Sequence, residues 1–193
     1  MDEQHYKQRF VLQSALPHPA DPARQPAAVL LAIDVARQQL LLTRRARHLR
    51  HHPGQISLPG GRHDPEDADL QATALREAYE EIGLAPRFVK VLGELPKRST
   101  VSNFTVTPFV AEVSGDYQLR HNPEEVEQIL QLPLQPFLYE RAYHTHEIQR
   151  NGELHKVLFI VVGGELVWGA TARILHDFAL HCQAGSKNGN SVF

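Results

Sequence analysis

The sequence predicts an α+β protein in which a mixed β-sheet lies between helices, and three observations carry that expectation. Short apolar runs enriched in β-branched and aromatic residues recur along the chain, as buried strands do. Two longer segments, about Ala68–Ile82 and Thr171–Cys182, repeat their apolar residues at helical spacing instead. Strands and helices are interspersed rather than segregated, so strands distant in sequence must meet in a sheet that helices cover. A length of 193 residues without internal repeats favours one domain.

The elements follow in order. Residues 1–26 are expected to form a short helix and the Pro-rich connector "LPHPADPARQP", Leu16 to Pro26. A single domain spans 27–183. It opens with the buried strand "AAVLLAID" and a second strand, "QLLLT", Gln39 to Thr43, positioned to pair with it. A basic, His-rich stretch from Arg44 to His52 leads into the loop "HPGQISLPGGRHDPED". The first long helix follows. "RFVKVLGEL" and "FTVTPFVAEV" read as strands. "PEEVEQIL" begins with Pro and carries acids in what would be a first turn, so a short helix is expected there. "HKVLFIVV" reads as a buried strand and "TARILHDFALHC" as a final amphipathic helix, and the polar tail 184–193 is expected to fray.

Composition excludes several function classes. A formal net charge of −2 argues against a protein held to nucleic acid by bulk charge. No run approaches the roughly 20 apolar residues needed to span a bilayer. The mixed-charge N-terminus resembles no export signal, and the C-terminal Ser-Val-Phe carries no peroxisomal or prenylation address. The one cysteine, Cys182, cannot close an internal disulfide, and it reads as a small buried hydrophobe. A cytoplasmic location without membrane or nucleic-acid partners is expected.

The chemistry gathers on the first long helix. At 100° per residue, Ala74, Leu75, Ala78 and Ile82 share one arc, while Glu77, Glu80 and Glu81 share another. One face can therefore pack on a sheet as the other presents carboxylates, with Gly83 placed to cap the C-terminus. A solvated acidic face is the commonest fate of such a cluster, and like charges at i,i+4 cost only about 0.2–0.5 kcal/mol in water. The preceding Gly60 and Gly61 alter that balance. Glycine admits close approach, and exposed backbone N–H groups hold phosphate oxygens. Carboxylates beside such a loop suit a divalent cation bridging to a diphosphate.

"GGRHDPEDADLQATALREAYEEIGL" resembles the Nudix box, whose usual form is G-x5-E-x7-R-E-U-x-E-E-x-G-U with U aliphatic. Arg76 to Leu84 match throughout once Ala78 is accepted at the first aliphatic position. Asp67 stands where the first glutamate is usual, with one extra residue before Arg76. "LLTRRARHLRHHPGQISLPGG", Leu41 to Gly61, is similar to the signature of the coenzyme A pyrophosphatase branch, L-L-T-x-R-S/A-x3-R-x3-G-x3-F-P-G-G. Thr43, Arg45, Ala46, Arg50, Gly54 and Pro59-Gly60-Gly61 fall in register, and Leu58 replaces the usual Phe. "VTPFV" and "WGATAR" extend the likeness.

The resemblance implies a Nudix-type α/β/α sandwich and metal-dependent hydrolysis of the diphosphate of coenzyme A or its derivatives. Glu77, Glu80 and Glu81 would bind Mg²⁺ or Mn²⁺. Glu80 or Glu81 would also assist proton removal, the sequence not dividing ligand from base. Arg76 would orient a neighbouring carboxylate. Arg45, Arg50, Gln55, Gly60 and Gly61 would contact substrate and its phosphates, Arg being the better bidentate partner. Glu125, in "PEEVE", is an outside candidate for a base. Other nucleoside diphosphate derivatives, or a nucleotide-sensing or protein-binding module without turnover, are the competing readings. "HHP" at 51–53 and "HTHE" at 144–147 lack four-ligand zinc spacing. Trp168 and Phe104 read as packing residues.

Overall fold

The computed structural model describes residues 6–12, 24–150 and 152–183. Most of the Pro-rich connector and the whole 184–193 tail lie outside the described residues. Among the described residues there are three α-helices: α1 (Tyr6–Leu12), α2 (Leu70–Ile82) and α3 (Gly169–Gln183). The strands are β1 (Gln25–Asp34), β2 (Gln39–Arg45), β3 (Ile56–Ser57), β4 (Gly60–Arg62), β5 (Val89–Glu94) and β6 (Arg98–Ser99), then β7 (Phe104–Val113), β8 (Val126–Pro133), β9 (His144–Arg150), β10 (Glu153–Val162) and β11 (Glu165–Trp168).

The architecture is α+β. One eight-stranded mixed sheet follows the order β3-β2-β1-β7-β5, with β4, β6 and β8 attached to β1, β7 and β2. Among the described residues the one parallel pairing, β1 with β7, runs in register from Gln25↔Phe104 to Asp34↔Val113. Both strands are buried along most of their length, which is why they read as continuous apolar runs rather than alternating ones. A second, antiparallel sheet has the order β11-β10-β9. No helix among the described residues is long and apolar enough to cross a membrane.

Alternation along β1 sorts the core into two layers. Ala28, Leu30 and Ala32 face α2 with Ala74, Ala78 and Ile82, whereas Ala27, Leu31 and Ile33 face α1 and α3 with Phe10, Leu175 and Phe178. Ile160, Val162 and Val167 of the second sheet join that latter layer. Cys182 is buried there, as expected of a small hydrophobe.

One expected element is corrected. "PEEVEQIL" is not a helix: residues 123–125 form a turn, and the chain then pairs with β2 from Val126 to Pro133. Val126, Leu130 and Leu132 are buried at even spacing, a period of two that competes with the local helix cues and wins because β2 offers its edge. The Gly/Pro-rich loop also holds more order than expected, since β3 and β4 are cut from it. Arg87 and Phe88 sit in a 3₁₀ turn before β5 rather than in the strand.

Candidate active site

Helix α2 is fixed at both ends. Asp69 accepts from the Ala72 N–H at 2.7 Å as N-cap. Gly83, at φ 71°, closes a Schellman turn in which its N–H and that of Leu84 reach the Tyr79 and Ala78 carbonyls. Two further carbonyls in the last turn would remain unpaired. The N–H groups of Arg120 and Asn122 meet them, on Ile82 and Glu81, each at 2.9 Å. That docking carries the following turn, and with it Glu125, to the carboxylate-bearing face of α2. Glu77, Glu81 and Glu125 each place a carboxylate oxygen within 4.8 Å of the others.

The two glycines are packed against the molecule itself. In register with Ala28, Gly61 lies beneath α2, and a Cβ there would overlap the Glu77 carboxyl group. Gly60, at φ 151°, leaves no room beside the Ala28 carbonyl and Val29, and its N–H donates to Glu81 Oε2 at 3.2 Å. The close approach at Pro-Gly-Gly therefore serves a β-strand and two carboxylates.

Burial drives the electrostatics. Glu81 is only 3% exposed, and removal from water pushes its carboxyl up to about 8, with Glu77 and Glu125 adding repulsion against the Gly60 bond and Arg45. Burial likewise raises Glu77, against the pull of Arg76. Arg76 itself is held by Asp67 through paired bonds, Nε to Oδ1 at 2.8 Å and Nη2 to Oδ2 at 3.0 Å. Its Nη1 then reaches Glu77 at 3.1 Å and Glu80 at 2.9 Å. The Arg76 bond holds the Asp67 carboxyl well below the usual carboxylate range. Thr73 Oγ donates to Asp67 at 2.8 Å and lies 2.8 Å from His63 Nδ1, extending the network.

The structure thus joins Glu77 and Glu81 with Glu125 and sets Glu80 apart, half-exposed at 48% and turned to Arg76. On β2, alternation directs Arg45 towards α2 and Arg44 to the opposite layer, where Arg44 pairs with Glu165 of β11 at 2.6 Å. The loop after β2 is tied to the Glu125 turn by the Ala46 N–H on the Glu125 carbonyl at 2.9 Å. Arg50 is exposed on that loop. Gln55 accepts from the Arg45 N–H at 3.0 Å, and its side-chain amide lies beside Gly169. Leu58 is buried in the α3-side core. His51, His52, His144 and His146 are exposed. Trp168 faces outward across from Phe159, and Phe104 is half-buried.

Sequence reading named Glu125 only as an outside candidate for a base and missed the anchoring role of Asp67. Nothing local in "PEEVE" marks a residue that tertiary docking brings to α2. For Asp67 the signal is the first acid position of the box, displaced by one residue before Arg76. Three carboxylates around one point, one almost wholly buried and lacking an ion-pair partner among the described residues, form a hard oxygen donor set suited to a divalent cation.

Comparison with known proteins places this geometry. A family model for the NUDIX domain matches residues 23–168. A protein of Enterobacter sp. named uncharacterized Nudix hydrolase NudL is 43% identical over 166 residues, covering 85% of each chain. A protein of the same name from Photorhabdus laumondii is 40% identical over 179 residues, covering 91% of this chain and 95% of its own. Among solved structures, a MutT protein from Methanosarcina mazei Go1 superposes with a TM-score of 0.55 at 16% identity, over 88% of this chain and 100% of its own.

Proposed function

The chain belongs to the Nudix hydrolase family, and from that premise we propose that it hydrolyses the diphosphate of coenzyme A or its derivatives. The products would be 4′-phosphopantetheine, or its acyl form, and adenosine 3′,5′-bisphosphate. Family membership makes the chain an enzyme acting on nucleoside diphosphate derivatives. The finer assignment rests on one observation: the Leu41–Gly61 segment, which carries the signature, runs from β2 through β4 and borders the carboxylate cluster at both ends. Ala46 is bonded to the Glu125 turn and Gly60 to Glu81. The replacement of Phe by Leu58 alters core packing, because that side chain points away from α2.

In this reading Glu77, Glu81 and Glu125 would hold Mg²⁺ or Mn²⁺. When bound, the ion would neutralise charge on the diphosphate and lower the pKa of a coordinated water. Gly60 orients Glu81 through its N–H. Asp67 fixes Arg76, and Arg76 steadies the Glu77 carboxylate from its flank. Glu80, half-exposed and near this group, is free to exchange its Arg76 bond for a proton from the attacking water. Arg45 and Arg50 supply cations for phosphate beside the site, and Gln55 a neutral amide.

Purified protein with Mg²⁺ or Mn²⁺ is tested on coenzyme A, acyl derivatives, ADP-ribose and dinucleotides. Release of phosphopantetheine at the highest kcat/KM of the panel is expected. Turnover confined to ADP-ribose or dinucleotides would replace this reading with that of a Nudix hydrolase for another nucleoside diphosphate derivative.

A further inference from the structure

At the other end of α2 from the Glu125 turn lies an open cleft of about 490 Å³, lined by His63, Asp69, Leu70, Gln71, Glu94 and Phe109. Its volume falls within the roughly 300–1,000 Å³ of small-molecule sites. Leu70 and Phe109 give it an apolar floor, and the remaining groups are polar. No lysine or arginine lines it. Asp69 already caps the first turn of α2, so the helix N-terminus presents no free anion site.

The hydrogen-bonding character of the cleft follows from its neighbours. Thr73 Oγ donates to the Asp67 carboxylate and lies 2.8 Å from His63 Nδ1, which engages that edge of the imidazole. With Nδ1 engaged by Thr73, Nε2 is the His63 ring nitrogen left to a ligand. Glu94 is exposed and accepts. Such a set suits a neutral, flexible group bearing N–H and O–H donors on an apolar chain, and it disfavours a phosphate.

The opposite end of α2 has the contrary character. Arg45 faces the cluster there, and Arg50 lies on the loop tied to the Glu125 turn. We propose that the cleft of His63, Gln71, Glu94 and Phe109 receives the neutral amide-bearing arm of the diphosphate substrate, and that Arg45 and Arg50 receive its phosphorylated nucleoside end. This orientation rests on the coenzyme A reading above. Leu70 to Glu77 is roughly 10 Å along the helix axis, a span the extended pantetheine arm can cover from a diphosphate at the cluster. Substrate would then lie along α2, neutral arm at its start and anionic nucleoside at its end.

Product inhibition separates the two ends. Wild type, Glu94→Ala, Gln71→Trp and Arg45→Ala are assayed for coenzyme A hydrolysis with 4′-phosphopantetheine or adenosine 3′,5′-bisphosphate added. Glu94 and Gln71 are exposed, so neither change threatens the fold, and a thermal melt checks this. Glu94→Ala, by loss of a charged acceptor, and Gln71→Trp, by filling the cleft, should each weaken phosphopantetheine inhibition about tenfold. Inhibition by the bisphosphate should hold in both, while Arg45→Ala should show the reverse pattern. Equal effects on both products, or the opposite assignment, overturns the orientation alone. Absence of coenzyme A hydrolysis by the wild type overturns the parent reading, and is seen before any variant is compared.

Discussion

Replacing Gly61 by alanine tests whether this glycine exists for the metal site. Its φ lies outside the left-handed region, so the backbone accepts a side chain. The obstacle is steric: a Cβ there would have three atoms of the Glu77 carboxyl group within 2.7 Å, where ordinary contact begins near 3.4 Å. The carboxyl must withdraw by about 1 Å, a shift comparable to the tolerance of a ligand site. Were the surroundings rigid, such overpacking would cost about 1–3 kcal/mol. Glu77 retains some exposure and a flexible side chain, so it should swing aside and most of the cost should fall on binding.

Disturbing a ligand in this way should raise the Mg²⁺ concentration for half-activation by about 10–100-fold, with only a small loss of Tm. Gly60→Ala provides the contrast. Its Cβ would meet the Ala28 carbonyl and Val29 Cα of β1, backbone atoms that cannot swing aside, so stability itself should fall. Metal activation curves and thermal melts of both variants decide the matter. A Gly61→Ala protein with the wild-type Mg²⁺ midpoint would refute the reasoning, as would one that unfolds as readily as Gly60→Ala.

Two further outcomes follow from the same geometry. Because burial lifts Glu81 to about 8 from an ordinary 4.5, its stabilising contribution is fully present below the unfolded value and is lost as pH rises through about 8. In metal-free protein, Glu81→Gln should therefore raise Tm at pH 8 relative to wild type and do so much less at pH 5, while abolishing most turnover. An identical Tm offset at both pH values would contradict this. Because Glu125 lies within the carboxylate cluster and Glu80 is turned to Arg76, Glu125→Gln should weaken Mg²⁺ binding more than Glu80→Gln does. Calorimetric titration of both variants measures it, and equal affinities would remove Glu125 from the ligand set.

Much of the site was legible because its signals are local. Helical spacing puts Glu77 and Glu81 on one face whatever the rest of the chain does, and Gly83 ends that helix by a capping rule that operates within a few residues. The Pro59-Gly60-Gly61 step likewise announced close approach, although what approaches turned out to be Glu77 and β1. "PEEVEQIL" shows where such reading stops. Its local cues favour a helix, yet β2 offers a ladder along Val126–Pro133, and burial of Val126, Leu130 and Leu132 outweighs weak propensity.

The sequence by itself determined the acidic helix, its carboxylates and the family, since these depend on spacing along one element. Only the tertiary structure decided which carboxylates meet. Glu125 reaches Glu81 because the Arg120 and Asn122 N–H groups satisfy the open carbonyls at the end of α2, and Glu80 leaves the cluster because Arg76, anchored on Asp67, holds it. Unpaired backbone and charged groups must find partners in the folded molecule, and which partner each finds depends on long-range docking that local spacing does not encode.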